Sequence, residues 1–301
     1  MFFVGIVVMN RVIRVAVFFL LVLFGIRFAP QLINQIKKSY IPFFTKTTTI
    51  GLIKIDGKIT DFRWYREQLK DLFTTSRVKA IVLDISSVGG YSGSCNILFD
   101  EIIALKKDHP KPIVSFVENV CASGAYYVAA ATDQIITSPS AMLGSIGTVI
   151  PLLHFEKLLE HVHVGYDTVS TGDYKNSGNP YMSQTVQGRA MLQELCDGAY
   201  QQFVGDIARV RSRLPITSKD SWANGRIFIG TQAVKIGLAD ELGSFSTVEA
   251  RVKKLVPFEG KIRWVVKRKP TTWFVRLFGN VESLSTFIHA FFMRHSSQIS
   301  S

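Results

Sequence analysis

The sequence predicts an α/β fold with crossover connections and a substantially parallel sheet, on three observations. Short β-branched and aliphatic runs bounded by turn residues alternate along the chain with segments of helical spacing. Two of those runs pass directly into glycine or small-residue turns that open a helix, as strand-to-helix crossovers do. With 47% hydrophobic and 19% charged residues over 301 positions, disorder is excluded and one large core is the simplest arrangement.

The chain opens with the apolar run MFFVGIVVM, then Arg11 and Arg14, then VAVFFLLVLFGI from Val15 to Ile26. Those twelve residues fall short of the ~17 to 20 that a spanning helix needs, and extension to Ala29, or back through the arginines with snorkelling, reaches it. No small-x-small cleavage pattern follows, since Gly25 to Pro30 reads GIRFAP. Residues 1–30 are therefore expected to form an uncleaved membrane anchor and 31–49 a linker. Bases flank the segment on both sides, so charge asymmetry sets no orientation.

A domain over 50–256 follows. IGLIKI, broken by Asp56-Gly57, reads as a strand and turn, and Phe62 to Phe73 has helical spacing. Val78 to Ile85 is a buried strand running into Ser86-Ser87-Val88-Gly89-Gly90, after which Ile97, Leu98, Ile102 and Leu105 mark an amphipathic helix closed by Pro110 and Pro112. Ile113 to Val117 is another buried strand, followed by a small-residue helix from about Ser123 to Thr132. Asp133 to Thr137, Gly147 to Ile150 and Tyr166 to Ser170 read as short strands. Gln184 to Arg213 is a long helix with Ala190, Leu195, Ala199, Phe203 and Ile207 as its expected core stripe.

Residues 257–301 form a basic, aromatic tail. Lys261 to Lys269 is strand-like, and Trp273 to Phe292 suits either a final core helix or an interfacial amphipathic helix held by Arg276 and Arg294. Asn280, Glu282 and His289 interrupt it too much for a second span.

The net charge of +12 sits at the ends: residues 1–50 hold six bases and no acid, and 251–301 hold ten bases against Glu259 and Glu282. The middle of the chain is left at about −2, so no nucleic-acid partner is expected, and the flanking charge points to anionic lipid headgroups. Cys95, Cys121 and Cys196 are too scattered for a disulfide framework or a zinc site, and Cys121 reads as a small buried hydrophobe.

Two backbone features stand near reactive groups. Gly89-Gly90, directly after a buried strand, leaves amides free to point at an anion or a developing oxyanion. Ala122-Ser123-Gly124-Ala125 lies at a second strand-to-helix junction, where small neighbours admit a carbonyl carbon and the Gly124 amide faces the same space; Ser123 also suits a plain helix N-cap. A nucleophilic serine needs a base. Of six histidines only His154 lies near the core region, whereas a lysine serves once burial has removed its proton. Lys175, in the loop GDYKNSGNP, is the candidate.

Five motifs in order resemble the signal peptide peptidase A family of membrane-anchored serine-lysine peptidases. They are SVGG at 87–90, ASGAYYVAAATDQI at 122–135, GSIGT at 144–148, GDYKNSGNP at 172–180 and NGRIFIGTQAVKIGLADELG at 224–243. The resemblance spans about Ile50 to Val256. It implies a Clp protease/crotonase-like domain of repeated strand-strand-helix units, with Ser123 as nucleophile, Lys175 as general base and Ser145 orienting the lysine amine. Backbone amides of Gly90 and Gly124 would form the oxyanion hole, and the 224–243 motif would be structural. It further implies peptide substrates, signal peptides among them, no metal or cofactor, and a homo-oligomer in which Lys175 could complete a neighbour's site. The setting would be a bacterial cytoplasmic membrane with the domain on its outer side. The family usually has proline where this chain has Val88, so a softer oxyanion loop is expected. A crotonase-type acyl-CoA enzyme and a catalytically silent membrane scaffold are the competing readings.

Overall fold

The computed structural model describes residues 11–44 and 46–270. The chain divides into two units, Met1–Thr48 with Glu259–Arg263, and Thr49–Phe258 with Trp264–Ser301. The apolar run before Arg11 and the stretch from Trp273 to Phe292 lie outside the described residues.

In the first unit, helix α1 (Arg11–Phe44) runs through Pro30 into the stretch expected to be a linker. Apart from Arg27, its side chains from Val15 to Phe28 are exposed apolar groups. Among the described residues no helix is long and apolar enough to cross a membrane. Within this unit, Thr48 Oγ1 donates to the Glu259 carbonyl at 3.0 Å and accepts from the Glu259 amide at 2.9 Å. The Lys261 amide donates to the Lys46 carbonyl at 3.1 Å.

The second unit is built on an eight-stranded sheet. Strands β1 (Thr47–Asp56), β2 (Val78–Ser87) and β3 (Ile113–Ala122) are parallel and central, joined by α2 (Arg63–Thr74) and α3 (Ser92–Asp108). The strand order is β6-β5-β3-β2-β1-β8, where β5 is Met142–Gly144, β6 Ile227–Ile229 and β8 Lys261–Arg268; β4 (Gln134–Thr137) pairs with β3 and with β7 (Glu241–Leu242). Alternation along the strands turns Ile53, Ile55, Leu83, Ile85 and Val117 towards Leu69 and Phe73 of α2, Leu98 and Ile102 of α3, and the fully buried α4 (Gly124–Ala130). This core holds the ends of β2 and β3 rigidly.

Strand β3 changes partner along its length. Val114–Val117 pairs with β4, and Val120–Ala122 pairs with β5. Polar, exposed Glu118 and Asn119 mark the changeover, so the apolar run stops at Val117 while the strand continues to Ala122. Two expected strands are absent: Gly147–Ile150 and Tyr166–Ser170 have no ladder partners, and the strand in this region is β5, a few residues earlier. Helix α5 (Glu156–His161) and α6 (Val186–Val210) follow. The expected stripe of α6 holds only in its second half: Phe203 and Ile207 are buried, while Ala190 and Leu195 are exposed, with no helix or strand covering them among the described residues. Helices α7 (Gly230–Ile236) and α8 (Phe245–Leu255) close the unit.

Candidate active site

Three adjacent strand ends converge. At the end of β3, Ser123 adopts φ 51° and ψ −126°, outside the regions that L residues ordinarily occupy. Such a conformation costs about 1–3 kcal/mol and persists only where its surroundings fix it. Here the Ser123 amide donates to the Gly144 carbonyl at 2.7 Å, and its carbonyl accepts from the Tyr127 amide at 3.1 Å. One strand over, register pairs Ala122 with Gly144, which places Ser145 beside Ser123. Ser145 also has φ 51°, and its amide donates to the Arg226 carbonyl at 2.8 Å.

The third strand end brings Gly89 and Gly90. Gly89 has φ 103°, and a Cβ there would lie 2.8 Å from the Gly124 nitrogen and 2.9 Å from the Ala122 carbonyl oxygen, so only glycine fits against the serine turn. Gly90 is held by a bridge to Ile59: the Ile59 amide donates to Gly89 at 2.8 Å, and the Tyr91 amide donates to Ile59 at 3.0 Å. Val88, exposed at the corner, is not what sets this turn. The buried Ser87 hydroxyl accepts from the Gly89 amide at 3.2 Å and ties the turn across Val88.

Gly90 and Gly124 lie against each other, since a Cβ on Gly124 would come within 3.3 Å of the Gly90 nitrogen. Among the described residues neither amide donates to a protein acceptor. Gly124 is the first residue of α4, where an amide has no partner within its helix. Both open, with Ser123, onto a pocket of about 30 Å³ whose walls include Cys95, Tyr127 and Phe203. Tyr127 stacks on Phe203 at 4.4 Å, donates its hydroxyl to Asp206 and accepts from Asn96 Nδ2 at 3.0 Å. Burial first, then the bond to Asp206, pushes its phenol up. Burial likewise pushes the Cys95 thiol up to about 12, so it stays protonated beside the serine. These walls were missed in the sequence, apart from Phe203, marked only as core.

The candidate bases lie elsewhere. Lys175 is exposed on a loop tied to its own neighbourhood: its amide donates to Gly172 at 3.2 Å, and Asn176 Nδ2 donates to Thr168 Oγ1 and Ser170 Oγ, each at 3.0 Å. Among the described residues no hydrogen bond joins it to Ser123 or Ser145, so the expected burial beside Ser145 is not met within one chain. His154 is exposed and lines a separate hollow with Arg189 and Cys196, which removes it from the serine's surroundings.

The 224–243 segment braces the site. The Gly225 amide donates to the Ile146 carbonyl at 3.0 Å, and the Tyr126 hydroxyl, on α4, donates to the Leu238 carbonyl at 2.9 Å. Arg211 makes two bonds of 2.8 Å to Asp240, whose carboxylate also accepts from the Ile135 amide at 2.7 Å.

Residues 105–259 match the model of peptidase family S49. This chain belongs to that family. The S49 match takes in Ser123, Gly124, Ser145 and Lys175 and begins after Gly90. Among its relatives, the chain is 35% identical over 195 residues to a protein of Methanocaldococcus jannaschii named as a candidate protease, covering 65% of this chain and 61% of that one. It is 32% identical to a protein of Enterococcus faecium named as a candidate signal peptide peptidase SppA, covering 58% and 51%. It is 32% identical over 232 residues to Protease 4 of Salmonella typhi, covering 72% of this chain and 37% of that protein. The chain thus spans between half and two thirds of the length of the first two relatives.

Proposed function

We propose that this S49 chain is a serine endopeptidase acting through a Ser123–Lys175 dyad on hydrophobic peptides, cleaved signal peptides among them. The observation that carries this reading is Ser123 in its strained turn, facing one pocket with the unpartnered Gly90 and Gly124 amides. A tetrahedral intermediate formed by attack of Ser123 Oγ places negative charge on the former carbonyl oxygen, and two fixed N–H donors stabilise that charge. Lys175 Nζ takes the serine proton and returns it to the leaving amine. Water then hydrolyses the acyl-enzyme by the reverse use of the same groups. Ser145 orients the amine.

The exposed position of Lys175 favours a site completed between copies. Val149, Leu153, Leu158, Val169 and Val186, around the lysine loop, are exposed apolar residues of the kind that a homo-oligomer buries. The exposed apolar side chains of α1 favour an N-terminal anchor, and the family resemblance of the motifs favours a bacterial cytoplasmic membrane with the domain on its outer side.

Digestion of a signal peptide by wild type, Ser123→Ala, Lys175→Ala and the double variant tests the pairing. Each single change should cost on the order of 10³-fold in turnover and the double little beyond that, because the two groups act as one unit. Losses that multiply would separate Lys175 from the serine.

A further inference from the structure

Strands β1 and β8 are neighbours in the sheet, and beside their ends, where the chain turns from β1 towards α2, lies a cavity of about 570 Å³. Its lining is basic: Lys54, Lys58, Arg268 and Lys269 stand against Asp56, with Tyr65 and Pro270. Lys54 is committed to Asp84, 2.9 Å away. Among the described residues the other three bases form no ion pair, so three cations face one acid, a surplus of two. The acids nearby are taken: Asp61, whose carboxyl feels Lys269, is paired with Arg63 at 3.1 Å, and Asp71 with Lys267 at 2.9 Å. Two of the ammonium groups sit over rings, Lys58 Nζ 5.3 Å from the Tyr91 centroid and Lys269 Nζ 5.6 Å from that of Tyr65.

A merely solvated basic face needs no buried hydroxyl, and this hollow has one. Tyr65 is only 3% exposed, yet it lines the cavity, and among the described residues its hydroxyl has no hydrogen-bond partner. Burial first, then Asp56, pushes this phenol up to about 12, so it stays a donor across the physiological range.

We propose that this hollow binds a phosphate monoester, whose terminal oxygens accept from Lys58, Arg268, Lys269 and the Tyr65 hydroxyl. Charge selects the ligand class: a monoester carries about −1.5 to −2 at pH 7 and three strong acceptor oxygens, which match the surplus of two, whereas a carboxylate or a phosphodiester carries a single charge. The guanidinium of Arg268 supplies the forked donor that suits two phosphate oxygens. The cavity leaves room for the alcohol that bears the phosphate, and phosphatidic acid in a bilayer and glycerol 3-phosphate in solution present the same group. Lys58 adjoins Ile59, which bonds Gly89 and Tyr91, so a bound phosphate also steadies the backbone that braces the glycine turn.

The test follows hydrogen exchange by mass spectrometry in the full chain reconstituted in phosphatidylcholine vesicles. Three additions are compared: glycerol 3-phosphate in solution, phosphatidic acid in the bilayer, and phosphatidylglycerol, a diester, in the bilayer. Saturable protection of peptides covering 54–65 and 264–270 by a monoester is expected, and the arm that protects names the source. Tyr65→Phe, which keeps the ring, should weaken the apparent affinity about tenfold, and Lys58→Gln with Arg268→Gln about a hundredfold, with circular dichroism spectra unchanged. Lys267→Gln, which removes a neighbouring charge outside the hollow, should leave it as it was. No protection by either monoester, equal protection by phosphatidylglycerol, an affinity unmoved by Tyr65→Phe, or an equal loss in Lys267→Gln would each overturn the proposal.

Discussion

Gly90→Ala isolates the oxyanion loop from the nucleophile. A Cβ on Gly90 would fall 1.9 Å from the Ile59 carbonyl oxygen and 2.5 Å from its carbon. These are backbone atoms, with no rotamer to yield, so the two bridged segments must separate by roughly 1 Å or more before the contact becomes tolerable. Separation breaks the two bonds of the Ile59 bridge, at 2.8 and 3.0 Å, each contributing about 1 kcal/mol. With ~1–3 kcal/mol for overpacking, the loss comes to about 3–5 kcal/mol, within the ~5–15 kcal/mol of a typical domain. The larger effect is on rate: a displaced oxyanion donor costs ~10²–10³ in kcat. The assay is peptide hydrolysis under conditions where urea melts show the variant folded. Gly93→Ala is the control, since a Cβ there meets nothing within 4 Å. Wild-type kcat/KM in a folded Gly90→Ala protein, or an equal loss in Gly93→Ala, would refute the assignment of this amide.

Two further outcomes follow from burial and from α1. Cys95 holds its proton to about 12 in the folded chain, whereas an unfolded cysteine releases it near ~8.5. The native state therefore binds more protons above ~8.5, and stability present below that pH declines as pH rises towards the folded value. Urea melts should show wild type losing about 2 kcal/mol more than Cys95→Ala between pH 8 and 10, and parallel pH profiles would contradict this. The full chain should stay with membranes through a carbonate wash while a chain beginning at Thr47 is released; release of both would end the anchor proposal.

The central sheet was legible because most residues of its strands are buried and read as nearly continuous apolar runs, as in VKAIVLDI of β2. Legibility failed where partners, rather than local pattern, decide the conformation. β3 runs on past Val117 only because β5 takes over its edge from β4, and nothing local announces that exchange across Glu118 and Asn119. Tyr166 to Ser170 has strand-like residues but no neighbouring edge to pair with. Half of the α6 stripe faces solvent for the same reason: apolar spacing marks a face, and only tertiary contact shows whether anything lies against it. In the site, Ser123, Gly90, Gly124 and Ser145 were readable from small-residue turns and family motifs, and register brings their strand ends together. Tyr127 and Phe203 were not, because their place in the pocket wall depends on how α4 meets α6. The environment expected for Lys175 rested on resemblance alone, and in one chain the residue stands in solvent.

The most direct measurement of the central claim is active-site labelling of the full-length protein with a fluorophosphonate, followed by peptide mapping. A single adduct on Ser123, absent in Ser123→Ala and slowed in Lys175→Ala, is the predicted result. Peptidase activity and labelling that both persist in Ser123→Ala would contradict it.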